Sequence, residues 1–275
     1  MSNSPIEWSN GNMGFVFFNI PKVAKLKKLN EYNLGIIRFL KITTFAAIMG
    51  KDKLRKFDEI GTFANTVQPV DKNILLTRNH ELKGNWNKVF FKNDNPIILE
   101  LGCGKGEYTV GLARLNPRVN YIGVDIKGAR IWRGAKTATD ENLNNVGFLR
   151  TRIDIIDAFF GENEVSEVWL TFSDPQPNKP KKRLTSKLFV DRYKKFLKPN
   201  GIINLKCDSD LLYEFTLDEI KERRYKLLIN TPNIYEGFIP NSEDEKLNNV
   251  LSIRTFYESR WLKGGKKIKY LRFQP

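Results

Sequence analysis

The sequence predicts an α/β fold built on a doubly wound, mostly parallel seven-stranded sheet that ends in a C-terminal antiparallel hairpin. Two observations carry this. From Pro96 onward, short apolar runs alternate with longer amphipathic stretches, the pattern of strands joined by helical crossovers. The first of those runs contains an acid, Glu100, and opens directly onto glycines at 102, 104 and 106. That is how a buried parallel strand leaves a sheet into a tight turn poor in Cβ atoms. Right-handed crossovers then bring the carboxyl ends of the strands to one edge, where open α/β sheets bind their ligands.

The elements follow in order. Ile97–Leu101 is the first strand and Tyr108–Leu115 the helix after the glycine turn. Asn120–Ile126 is the second strand, with a helix from Lys127 to about Asn142, and Val146–Thr151 is the third. Val165–Phe172 is the fourth, followed by a helix over Thr185–Leu197 that ends at Pro199-Asn200-Gly201. Ile202–Cys207 is the fifth strand and Leu211–Lys221 a helix. Val250–Glu258 and Lys267–Phe273, on either side of Gly264-Gly265, read as the closing hairpin.

Composition narrows the function. With 275 residues, 41% of them hydrophobic, the chain can build one full-sized core plus an appendage. A formal charge of +15 points to a polyanionic partner. Cys103 and Cys207 each end an apolar run, with no Cys/His constellation around them; this excludes a disulfide framework and a zinc site, and no metal is expected. His80 is the single histidine and lies in a polar stretch, so it is expected on the surface, and histidine-based catalysis is not expected. Residues 1–48 mix Asn, Gly and Phe with a lysine cluster and then the stretch Leu34–Met49, which carries Arg38 and Lys41 and is too charged to span a bilayer. They are expected to be a poorly ordered extension, or the product of a start assigned too early. A basic amphipathic helix on membrane or RNA is the other reading. The working domain is then 49–275, with 49–95 as its basic N-terminal segment.

An acid stands at each strand end. Asp125 closes the second strand about twenty residues past the glycine loop, where such folds hold ribose hydroxyls. Asp154 follows the third strand, Asp174 the fourth and Asp208 the fifth. Asp157 and Asp210 are expected to be turn formers or caps. After Asp174 the charge reverses: Asp174-Pro175-Gln176-Pro177-Asn178 leads into Lys179, Lys181, Lys182 and Arg183, four basic residues in five positions. The prolines shape this segment, and its basic side chains suit a phosphate-rich polymer beside the ligand edge.

The spacing G-x-G-x-G after an acid differs from the G-x-G-x-x-G of dinucleotide folds and resembles the S-adenosylmethionine loop of Rossmann-like methyltransferases. The set L-E-x-G-x-G-x-G, G-V-D, F-S-D-P-x-P with K-K-R-L, a strand ending K-C-D, and Thr255-Phe256-Tyr257-Glu258 resembles the bacterial tRNA (guanine-N7-)-methyltransferases from about Met49 to the C-terminus. That resemblance implies a cytoplasmic enzyme, monomeric or homodimeric, that modifies a guanine of the tRNA variable loop. It places Glu100, Gly102, Gly104, Gly106, Asp125, Asp154 and Asp174 on S-adenosylmethionine. It places Asp208, Thr255, Tyr257, Glu258 and the basic residues Lys179, Lys181, Lys182 and Arg183 on the substrate, with Asp174 and Asp208 nearest the chemistry. The family turn usually reads D-P-W; here Gln176 replaces the tryptophan, and either Lys179 or Asn178 stands for the family lysine. The alternatives are an S-adenosylmethionine-dependent enzyme acting on another RNA or on a protein, and a nucleic-acid-binding module on an inactive methyltransferase fold. Intact strand-end acids speak against the last.

Overall fold

Strands form where apolar side chains alternate between two buried faces. The computed structural model describes residues 52–69 and 79–275. Its strands are β1 (Thr66–Val67), β2 (Ile97–Leu101), β3 (Asn120–Asp125), β4 (Val146–Arg150), β5 (Val165–Thr171), β6 (Leu197–Cys207), β7 (Lys226–Thr231) and β8 (Lys269–Gln274), in the sheet order β1-β4-β3-β2-β5-β6-β8-β7. Pairing is parallel from β1 through β6, whereas β8 runs antiparallel to both β6 and β7.

On one face Leu99, Leu101, Ile122, Val124, Leu149, Val168, Leu170, Ile203 and Leu205 make one core. On the other Tyr121, Phe148, Trp169 and Tyr270 pack with Tyr108, Ile131 and Trp132. The period of two explains why the strands are legible as apolar runs buried on both sides.

The helices are α1 (residues 52–60), α2 (Glu107–Leu115), α3 (Gly128–Asp140), α4 (Lys187–Lys194), α5 (Asp210–Arg223), α6 (Glu245–Leu251) and α7 (Phe256–Lys263). Residues 53–275 form one compact unit. The expectation for residues 1–48 lies outside the described residues. Among those described, no helix is long and apolar enough to cross a membrane.

Four expectations need correction. The sheet has eight described strands rather than seven, because a two-residue β1 extends the β4 edge and β7 supplies the partner of β8. Val250–Glu258 is not a hairpin strand. It holds the end of α6, a turn and the start of α7, where Thr255 and Glu258 form a reciprocal capping box. β6 begins at Leu197, and pairing with β5 skips from Leu197 to Ile202, so Pro199-Asn200-Gly201 bulges inside the strand. His80 is half-buried, stacked on Phe159 at 5.0 Å, and burial lowers its pKa.

Candidate active site

The glycine loop after β2 needs its glycines for two different reasons. Gly102, Gly104 and Gly106 all adopt positive φ (83°, 56° and 71°). A Cβ on Gly102 or Gly104 would meet nothing within 4 Å, so these two line open space. A Cβ on Gly106 would lie 2.5 Å from Cε1 of Phe148, so that glycine is required by packing. The loop is held from below. Asp125 accepts the Gly104 amide on Oδ2 at 3.0 Å and the Lys127 amide on Oδ1 at 2.8 Å. Above it, Glu107 accepts the Phe256 amide at 2.9 Å, which docks the start of α7 against the start of α2.

A cavity opens over this loop, lined by Glu100, Gly102, Gly104, Thr171, Thr255 and Tyr257 among others. Glu100 is buried at its floor, and its two carboxylate oxygens accept the hydroxyls of Thr109 and Thr171. Burial pushes its pKa up to about 7 against those two hydrogen bonds. The geometry fits a polar, cationic nucleoside-like ligand: open backbone at two glycines and an acidic floor, with Asp125, which lines neither cavity, holding the loop in place from the sheet.

A second cavity adjoins the first. Asp174, Pro175, Asp208, Lys266 and Lys267 line it, and Phe172 and Trp261 line both cavities. Those two rings meet at 4.9 Å between centroids. Phe172 is held at φ 50°, one residue beyond β5. Asp174 accepts the Gln176 amide at 3.0 Å, an Asx turn that fixes the proline segment. Asp208 pairs with the Lys266 ammonium at 2.6 Å. Asp174 and Asp208 are therefore brought together. Asp154 is not: it sits on the 3₁₀ turn after β4, paired with the Arg152 guanidinium, and lines neither cavity.

The basic turn divides likewise. Lys179, Lys181 and Lys182 are exposed around a short 3₁₀ turn. Arg183 is buried, donates to the Pro175 carbonyl at 2.8 Å and lies over the Phe215 ring, so it braces the turn instead of facing solvent. The C-terminal segment splits too. Thr255 and Tyr257 line the glycine-loop cavity, but Glu258 is fully buried. Its carboxylate accepts from the Lys206 ammonium at 2.8 Å and from Tyr235 at 2.7 Å, which ties α7 to β6. Asp157 pairs with Lys195 and Arg192, and Asp210 pairs with Lys269 one residue after the cap Ser209. Among the described residues no group of three or more His, Cys, Asp or Glu could hold a metal ion, and both cysteines are free and buried.

Comparison with known proteins places this geometry. A family model described as a putative methyltransferase matches residues 94–271. The chain is 50% identical over 226 residues to a tRNA (guanine-N(7)-)-methyltransferase of Christiangramia forsetii, covering 82% of this chain and 98% of that one. The chain belongs to the tRNA (guanine-N(7)-)-methyltransferase family. A second member, from Bacteroides fragilis, is 48% identical over 225 residues, covering 82% of this chain and 86% of its own length. The fold agrees with the crystal structure of the 16S rRNA methyltransferase KamB, at a TM-score of 0.50 and 14% identity, covering 76% of this chain and 96% of that one.

Within this family member, Gln176 stands at φ 45° where the D-P-W resemblance leads one to expect tryptophan. The rings that border the acid-lined cavity are instead Phe172 and Trp261, the latter four residues after Tyr257 on α7 and stacked on it at 5.9 Å. The i, i+4 spacing of two aromatics is the signal that marks Trp261 in the sequence. Phe172 opens the F-S-D-P motif, but its place between the cavities depends on a positive φ at a non-glycine residue, which the motif does not announce.

Proposed function

We propose that this chain transfers the methyl group of S-adenosylmethionine to N7 of a guanine in the variable loop of tRNA, in the cytoplasm. The observation that carries this reading is the junction of two cavities, one on the glycine loop and one between Asp174 and Asp208, at Phe172 and Trp261, in a member of this family. The glycine loop, held in place by Asp125, and Glu100 would hold S-adenosylmethionine; Asp154, which lines neither cavity, is not assigned to it. The bound cofactor supplies a methyl group on a positively charged sulfur. Guanine N7 carries an in-plane lone pair and no proton, so the protein needs no general base. What its residues contribute is positioning and an electrostatic pocket for a base that becomes cationic.

Asp208 is the residue to read the base. Its carboxylate would accept from N1–H and the exocyclic amine of guanine; adenine offers no matching pair, and buried polar groups left unmet penalise the wrong base. The Lys266 ammonium now occupies that carboxylate and must give way to the base. Asp174, tied to the backbone through one oxygen, keeps the other to favour positive charge on the ring.

The test is incubation of the purified protein with tRNA and methyl-labelled S-adenosylmethionine, followed by nucleoside mapping. The label is expected in 7-methylguanosine. Asp208→Asn should lower kcat/KM for tRNA by roughly 100-fold or more, the size of effect left by unmet polar recognition, with cofactor affinity unchanged. A product on adenine or on an exocyclic amine, or normal turnover by both Asp174→Ala and Asp208→Ala, would overturn the reading.

A further inference from the structure

We propose that the end of α7 and the turn that follows it, Lys263-Gly264-Gly265-Lys266-Lys267, form a second grip on the RNA backbone, at the acceptor cavity to which the Lys179–Lys182 turn is also tied. The inference rests on tRNA being the acceptor, and it assigns a role to residues outside the motifs that mark the family.

The turn is a built feature of the fold. The amides of Gly264 and Gly265 donate to the carbonyls of Arg260 and Leu262, at 3.1 and 3.0 Å, and the Lys266 amide donates to the Trp261 carbonyl at 3.0 Å. Gly265 has φ 75°, a conformation that a residue with a Cβ adopts only under strain. Three lysines thus project from a fixed turn within five positions, and all three are exposed.

Position gives the turn its meaning. Gly265, Lys266 and Lys267 line the same cavity as Asp174 and Pro175. The Arg183–Pro175 hydrogen bond ties the other basic turn to a residue that lines the same cavity. Two cationic turns are therefore connected to one acid-lined pocket. A nucleotide within a polymer has the complementary pattern: a base edge with hydrogen-bond donors at the centre, and anionic phosphates on either side.

Charge pairing leaves this turn free to meet an external anion. Lys263 and Lys267 have no carboxylate partner among the described residues, as is also true of the control lysines Lys88 and Lys198, so what singles the turn out is its place at the acid-lined cavity. Lys266 has one, Asp208, and it is the carboxylate proposed to read guanine. Entry of the base displaces the Lys266 ammonium, which is then free to meet the phosphate beside the base. Reading and gripping would be coupled through one exchange of partners.

The double variant Lys263→Ala/Lys267→Ala tests this, with Lys88→Ala/Lys198→Ala as control. Lys88 and Lys198 are also exposed and lie at the amino-terminal edge of the sheet. The readout is tRNA dissociation constant against potassium chloride concentration. Each phosphate contact adds about 0.9 to the log–log slope, so the test variant should lose about 2, and the control and Lys263→Arg/Lys267→Arg should match the wild type. KM for tRNA should rise more than kcat falls, with cofactor affinity constant. A slope within about 0.5 of wild type, or an equal loss in the control, overturns the proposal. The two readings fail separately: a normal 7-methylguanosine product with an unchanged slope sinks the grip alone, and a changed slope with the label on another base sinks the guanine reading alone.

Discussion

Glu100 carries a cost that its place in the site explains. It is fully buried, its two oxygens face the hydroxyls of Thr109 and Thr171, and burial lifts its pKa to about 7. An acid whose pKa is raised on folding holds its proton more tightly in the folded state. Its contribution to stability is therefore greatest below the unfolded value of 4.5, falls as pH rises from there to about 7, and stays low above that. A shift of that size corresponds to roughly 3 kcal/mol. Glu100→Gln should consequently raise the melting temperature at pH 8 while weakening cofactor binding, as read by thermal unfolding and titration calorimetry. In the wild type, affinity for the cationic cofactor should climb between about pH 6 and pH 8 as Glu100 ionises. A lower melting temperature for the variant at pH 8 would contradict this account.

At the scale of elements, the glycine loop and α7 form one clamp over β2. The loop is pinned by Asp125 from the sheet, and α7 is pinned by Glu107 and by the buried Lys206–Glu258 pair. The glycines in this clamp are separable by substitution. Gly106→Ala would force a Cβ into the Phe148 ring at 2.5 Å and should cost at least 2 kcal/mol or abolish folding. Gly104→Ala meets open space, so its cost is the positive φ alone, about 1 kcal/mol, and its main effect should be on cofactor affinity. Urea unfolding and cofactor titration of the two variants check both claims; equal destabilisation would refute the division.

For the whole molecule, the charge of +15 sets how the substrate arrives. Clustered cations at the carboxyl edge of the sheet, on the Lys179–Lys182 and Lys263–Lys267 turns, should make tRNA affinity fall steeply with salt. Heparin should compete with tRNA without affecting cofactor affinity, since the glycine-loop cavity is acidic at its floor. Steady-state inhibition patterns against each substrate decide this: heparin competitive with the cofactor would count against two separate cavities.

The sequence by itself determined the parallel core and the acids at its edge. Strand periodicity and strand-end position are local properties of the chain, so Ile97–Leu101, Asp125, Asp174 and Asp208 are legible as written. The partner of β8 was not legible. β7 and β8 are separated by two helices, and their pairing depends on contacts formed at long range. Side-chain direction was no more readable. Arg183 and Glu258 sit in polar motifs, yet both turn inward because a carbonyl, a ring or a buried ammonium waits there. Only the tertiary structure decided that Phe172 and Trp261 join the two cavities and that Lys266 holds Asp208. Those contacts unite residues 89 and 58 positions apart, and local sequence pattern carries no record of such distances.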